Sequence, residues 1–133
     1  MSANKSLAYN LTPKVAVAGS AAGAVVGPVI DTAGFNEACV ILVLGATNGT
    51  LDVIIEESAT GLGSWTTLYS YVQLTASDDG SVIIGMIKLD GNSAKRYLRV
   101  TSTVEALMAA DHAVTMLLAN YQYHPDQVPA FTI

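Results

Sequence analysis

One cysteine, Cys39, stands in the 133 residues, so no intramolecular disulfide can form and the fold must hold without covalent cross-links. Set in the apolar run 38–44, it reads as a small buried hydrophobe. Charge is scarce: 13% of the residues carry it, about half the usual share. Basic residues are scarcer still, 6 against 11 acidic, and the net charge of -5 opposes attraction to phosphate backbones. Nucleic acid is therefore excluded as an expected partner. No Lys or Arg occurs from Val15 to Ile87, where seven carboxylates stand; Lys88, Lys95, Arg96 and Arg99 then follow within twelve positions. Long hydrophobic runs are missing too. The longest strongly apolar run, 38–44, falls far short of the ~20 residues of a membrane helix. The uncharged stretch 15–29 is broken by Pro28 and three glycines, so no membrane partner is expected. Met1-Ser2-Ala3-Asn4-Lys5 leads into no apolar segment of the kind a secretory leader needs, and a soluble chain is expected.

Catalytic patterns are absent as well. There is no G-x-S-x-G elbow, no G-x-x-x-x-G-K-S/T loop, no H-E-x-x-H and no C-x-x-C. The histidines are His112 and His124, and His112 opens a strand-like segment directly after Asp111. Neighbouring strand residues point to opposite faces, which makes these two a poor acid–base pair. Glu56-Glu57 and Asp78-Asp79 offer oxygen ligands, but not at the spacing of a dedicated calcium loop. No catalytic residue, metal ligand or cofactor is expected, and an enzyme is the least expected class.

What the sequence has is apolar surface with the period of strands. It is 51% hydrophobic, and a domain of this size buries roughly two-thirds of its unfolded surface. With few charges to cover the rest, some of it is expected to meet another protein. Alternation marks about seven strands, at 25–30, 37–44, 50–57, 65–72, 81–89, 96–102 and 113–121, each rich in β-branched or aromatic residues. Asn48-Gly49 has tight-hairpin chemistry, so 37–44 and 50–57 are expected to pair antiparallel. Asp78-Asp79-Gly80 and Asp90-Gly91-Asn92 read as turns, and Gly61-Leu62-Gly63-Ser64 as a flexible connection. Val104, Leu107 and Met108 at helical spacing predict a short turn of helix within 103–111.

The fold expected is all-β: a single antiparallel β-sandwich, jelly-roll-like or immunoglobulin-like, with extended N- and C-terminal arms. Its core should include Val40, Leu42, Leu51, Val53, Ile55, Leu98 and Val100. Segments 38–44 and 82–87 are apolar on both faces, so they are either covered on both sides or form an interface on one.

Residues 1–24 read as an N-terminal arm, 25–123 as the sandwich and 124–133 as an extended tail. Small side chains such as those of 16–24 bury too little area to build a core. Val15, Val17, Val25 and Val26 at one end, with Phe131 and Ile133 at the other, are expected to contact a partner. Removing residues 1–20 should then leave the sandwich's stability nearly unchanged. Trp65, Tyr69 and Tyr71 share strand parity, making either an aromatic core face or a platform for a sugar or a protein. Lys95, Arg96 and Arg99 lie either on a solvated face or opposite carboxylates of a neighbouring copy.

Four segments in order, Ile30-Asp31-Thr32-Ala33-Gly34-Phe35, then 49–58 (GTLDVIIEES), Gly63-Ser64-Trp65 and 95–100 (KRYLRV), carry a resemblance covering residues 28–121. The chain resembles small structural proteins of tailed-bacteriophage head-gene clusters, the capsid decoration or cement proteins. The resemblance implies a β-sandwich on the outside of an icosahedral shell, clamping neighbouring major capsid subunits. It also implies trimers at local three-fold positions, arms that reach adjacent subunits, and residence on the virion surface after synthesis in the host cytoplasm. Two other readings share the sequence features: a carbohydrate-binding sandwich on the virion, which needs the Trp65, Tyr69 and Tyr71 platform exposed, and a head-to-tail joining or tail-associated protein.

Overall fold

The computed structural model describes residues 11–89, 94–120 and the backbone of 131–132. Among them are ten strands: β1 (Leu11–Gly19), β2 (Gly23–Val26), β3 (Ile30–Asp31), β4 (Glu37–Thr47), β5 (Leu51–Ser58), β6 (Thr66–Ser70), β7 (Val82–Lys88), β8 (Tyr97–Val104), β9 (Ala110–Ala119) and β10 (Phe131–Thr132). The first sheet has the order β1-β9-β4-β7-β10, and the second β2-β8-β5-β6 with β3 also on β8. Pairing is antiparallel except between β7 and β10. The two sheets form a β-sandwich, as alternating short strands require.

Inward-facing residues make the core. Ala38, Val40, Leu42 and Leu44 of β4 are buried in one cluster with Leu51, Val53 and Ile55 of β5 and Leu98, Val100 and Val104 of β8. Each such Val or Leu stabilises by roughly 1.5–3 kcal/mol when fully buried, which offsets the cost of ordering its backbone. One polar link crosses between the sheets. Nδ1–H of His112 on β9 donates to the Ala110 carbonyl at 2.7 Å, leaving Nε2 to accept the hydroxyl hydrogen of Ser102 on β8 at 2.8 Å.

Connectivity departs from expectation at Asn48-Gly49. β4 lies between β9 and β7, so it offers no edge to β5, and the link arches from one sheet to the other. Glycine serves close approach there: a Cβ on Gly49 would stand 2.6 Å from the Cβ of Met108. Asn48 binds the same turn, its Oδ1 accepting the Ala109 N–H at 2.6 Å and its N–H donating to the Ala109 carbonyl at 3.0 Å. The expected helical turn in 103–111 is replaced by strand ends and a tight turn. Met108 N–H donates to the Glu105 carbonyl at 3.1 Å, and Leu107 has a φ of 66°, which no right-handed helix accommodates.

The N-terminal arm is the largest correction. Residues 11–19 form β1, paired with β9 from Leu11↔Ala119 to Gly19↔His112, and Ala16 and Val17 are buried in the core. Residues 23–26 form β2, paired with β8 from Gly23↔Val104 to Val26↔Thr101. Small side chains bury little, but an edge strand is held by main-chain hydrogen bonds, which Ala and Gly make as well as other residues do. Residues 1–10 of the expected arm, and 124–130 and 133 of the expected tail, lie outside the described residues.

The 61–64 connection, expected to be flexible, is organised by one buried hydroxyl. Ser58 Oγ donates to the Gly63 carbonyl at 2.5 Å and accepts the N–H groups of Thr60 at 3.2 Å and Gly61 at 3.1 Å. Ser58→Ala should therefore lower the unfolding free energy by about 1–3 kcal/mol. A denaturant melt checks this, and an unchanged midpoint would contradict the role.

Candidate functional site

The two outer faces of the sandwich distribute their charges differently, mid-sheet on one and at the ends of an apolar patch on the other. On the second sheet, Asp52 and Glu56 of β5 and Arg99 of β8 point outward beside Thr101 and Thr103. On the first sheet, the register sets Pro13, Leu117, Cys39 and Met86 in one row, then Val15, Thr115, Ile41 and Ile84, then Ala18, Ala113, Val43 and Val82. Their sequence neighbours Val40, Leu42, Val114 and Met116 are buried, so this set faces outward. Val15, Val43 and Val82 are 64%, 45% and 57% exposed. At ~4.8 Å between strands and ~6.8 Å between like-facing residues, the patch spans roughly 400 Å². No charged side chain stands in these three rows, which match in extent the largest apolar patch of an ordinary monomer, often a functional one; the same face continues into Glu37 and Lys88 beyond Cys39 and Met86, and into Asp111 beyond Ala113. The doubly apolar segments thus have one face in the core and one open. Cys39 lies on the open face, half-buried rather than in the core, and burial, with Glu37 nearby, pushes its thiol above the ordinary value.

Two leucines project from opposite ends of the sandwich. Leu62, on the β5–β6 loop, is 96% exposed, and Leu107, on the β8–β9 turn, is 97% exposed. Ser58 lies opposite Tyr97 and Leu51 opposite Val104, so the loop after Ser58 and the turn after Val104 leave at opposite ends. A strand of this length at ~3.4 Å per residue separates the tips by roughly 25 Å. Both tips are held by hydrogen bonds, one through Ser58 and the other through Asn48. Sequence reasoning missed both, reading one as linker and the other as a helix face. A leucine between two glycines, as at Gly61-Leu62-Gly63, has no local side chain to pack against, and that was the available signal.

Of the residues expected to meet a partner, Val15 lies in the apolar patch, Val25 and Val26 are exposed on β2, and Val17 is in the core. The backbone of Phe131 pairs with Gly85, while its side chain and Ile133 lie outside the described residues. The aromatic set is divided. Between Ile55↔Tyr69 and Glu56↔Thr67 the register slips, with Leu68 as the extra residue, and this puts Trp65 and Tyr69 on opposite faces. Tyr71 is buried and Tyr69 partly so, their rings edge to face at 5.1 Å. Trp65 lies on the outer face, under the Arg99 guanidinium at 4.2 Å. The three therefore form no common platform.

The arginines, read as either solvated or opposite carboxylates of a neighbouring copy, make bonds within the chain. Arg96 grips Asp31 with two bonds, Nε to Oδ1 at 2.8 Å and the second nitrogen to Oδ2 at 2.9 Å. That grip, with the Ala33 N–H, holds the Asp31 carboxyl at about 2. Its contribution to stability is complete above the ordinary value of about 3.9 and is lost as pH falls through about 2. Both side chains are half exposed, so solvent screening keeps the effect small. Arg99 donates to Glu56 Oε1 at 3.0 Å and Thr101 does so at 2.8 Å. Burial opposes the Glu56 charge, but these bonds together outweigh it and hold the carboxyl below its usual range. Lys95 is exposed, and its backbone N–H donates to Glu57 Oε2 at 2.9 Å.

The Ser102 and His112 pair has the spacing of an activated hydroxyl, yet Ser102 is 1% exposed and no substrate reaches it from outside. Asp78 and Asp79 serve turns: Asp78 accepts the Thr75 N–H at 2.9 Å, and Asp79 the Thr47 hydroxyl at 2.6 Å. Among the described residues no three His, Cys, Asp or Glu side chains converge, and no helix is long and apolar enough to cross a membrane.

No family model and no curated protein matches the sequence. Among solved structures, the chain is similar to the crystal structure of the PBSX exported protein XepA, with a TM-score of 0.61 at 14% identity. The match covers 90% of this chain, which spans 40% of the length of that one. At this identity the likeness is one of fold alone.

Proposed function

We propose that this chain is a structural protein of a tailed-bacteriophage particle, a decoration or cement protein that binds the outside of the head and clamps neighbouring major capsid subunits as a homotrimer. One observation carries the reading: an apolar patch on one sheet face combined with two exposed, hydrogen-bonded leucine tips at opposite ends of the sandwich. A clamp needs separated contacts and a body that transmits load between them. The resemblance over residues 28–121 supports the head as the site of action, and the likeness to the PBSX exported protein supports the fold on which the reading depends. A standard interface buries about 800 Å² per partner. The sheet face offers roughly half of that, so the tips or a second copy must supply the rest. Catalysis, a cofactor, nucleic acid and a membrane have no part in this reading.

Co-sedimentation with assembled shells tests it. Leu62→Ser, Leu107→Ser and Val43→Lys alter exposed side chains, so each should melt within about 0.5 kcal/mol of the parent. Each should weaken shell binding about tenfold or more, the loss expected for an apolar side chain no longer buried. Unaltered binding by all three removes these surfaces from the account. A parent that ignores shells and is recovered at the head–tail junction takes the joining role instead.

A further inference from the structure

We propose that Asn48-Gly49 is a self-modification site, at which the Asn48 amide closes on the Gly49 nitrogen and reopens as a carboxylate, releasing the turn that carries Leu107. The arch between the sheets supplies the parts of the reaction. Asn48 is exposed, and its Oδ1 accepts the Ala109 N–H at 2.6 Å, a donor placed where negative charge gathers when the amide carbon is attacked. Among the described residues, no hydrogen bond engages Nδ2, the leaving group, or the Gly49 N–H, the nucleophile. Gly49 has no side chain to shield its nitrogen, and none is admitted, because Met108 fills the place of a Cβ. The two reacting groups belong to adjoining residues, so bringing them together costs little entropy. Asn36 differs: it is followed by Glu37, a buried residue of β4, which is paired on both sides.

The Gly49 nitrogen, its proton passed to solvent base, attacks Asn48 Cγ. The N–Cγ bond forms, the Cγ–Nδ2 bond breaks, and Nδ2 takes a proton from water and leaves as ammonia, which gives a cyclic imide. Water then adds to either imide carbonyl and the C–N bond there breaks, the nitrogen regaining its proton. The product is an aspartate, or the isomer whose main chain runs through the side-chain carbon. That isomer lengthens the backbone by a methylene where the Asn48 N–H donates to the Ala109 carbonyl at 3.0 Å, so the clasp on Ala109 is lost. The new charge also stands among carboxylates. Asp79 binds the Thr47 hydroxyl, Asp111 lies against Gly45, and Glu105 Oε2 is 3.1 Å from the place of a Gly49 Cβ. Like charges at such range repel, which favours opening. The turn then loses the hold that fixes Leu107, and loss of ammonia makes the change one-way. This proposal goes beyond the capsid reading, since it concerns the free chain and needs no shell.

Incubation of the folded full chain at mildly alkaline pH tests it, with peptide mass mapping and hydrogen exchange as readouts. Residue 48 should gain the mass difference between OH and NH2 and appear partly as the isomer, while Asn36 stays unchanged over the same period. In the converted chain, the Ala109 amide should exchange about tenfold faster than in the fresh chain, as a released turn requires. Asn48→Ser, which keeps a hydroxyl acceptor near Ala109 but has no amide to close, should show neither change on incubation. No mass gain at residue 48, an equal gain at Asn36, or a converted chain whose Ala109 exchange is unaltered overturns the proposal. Loosening of the Asn48→Ser chain on the same incubation overturns it too. A chain that binds shells yet keeps Asn48 intact loses this modification and keeps the capsid reading.

Discussion

A chain lacking residues 1–20 is expected not to fold. The deletion removes β1, which pairs with β9 along its whole length and places Ala16 and Val17 in the core. Burial of the Val17 side chain alone stabilises by roughly 1.5–3 kcal/mol. Removing the strand also bares the main chain of β9 and opens one side of the sandwich over Val114, Met116 and Leu118, all buried in the intact protein. Against a usual stability of about 5–15 kcal/mol, the sum of these losses is enough to abolish the native state. Far-ultraviolet circular dichroism during heating should show no cooperative transition. A truncated chain melting within a few degrees of the parent would restore the view of this segment as an arm.

Gly27→Ala should be the most damaging glycine-to-alanine change among the described glycines compared. A Cβ at Gly27 would stand 1.7 Å from the Ala16 carbonyl oxygen and 2.9 Å from that of Val100. Both obstacles are backbone, one on β1 in the first sheet and one on β8 in the second, so no side-chain rotation relieves the clash. Gly27 also donates its N–H to the Val100 carbonyl at 2.8 Å, and any shift that makes room strains that bond. Overpacking usually costs about 1–3 kcal/mol, and two fixed strands put this site at or above the upper figure. The melting temperature should fall by roughly 10 °C or more. Gly63→Ala, where nothing lies within 4 Å of the added carbon, is the control and should change little. Equal melting of the two variants would contradict the close approach of β1 to β2 and β8.

Particular residues show where the sequence was legible. Leu51, Val53 and Ile55 alternate with Asp52, Ile54 and Glu56, and burial follows that alternation. The core was readable because side-chain direction in a strand is set by local geometry. Strand partnership is not local. Asn48-Gly49 carries the same chemistry whether its strands pair or part, and the decision rests with β7 and β9, which claim both edges of β4. β1 was missed because its attachment lies in main-chain bonds that composition does not record. The division of Trp65 from Tyr69 was hidden for a related reason: a bulge at Leu68 reverses strand parity without any marker residue. The open face was half visible, since β4 and β7 read as apolar on both sides, but which side stays open depends on where the second sheet lies.

Imaging of assembled particles by electron cryomicroscopy tests the central claim most directly. The account predicts density for the sandwich at many equivalent positions on the outer shell, with the face bearing Ile41, Val43, Val82 and Ile84 turned toward protein and Leu62 and Leu107 touching different subunits. Density confined to a single vertex or to the tail, or a sandwich whose Asp52, Glu56 and Arg99 face meets the shell while the apolar patch stands in solvent, would contradict it.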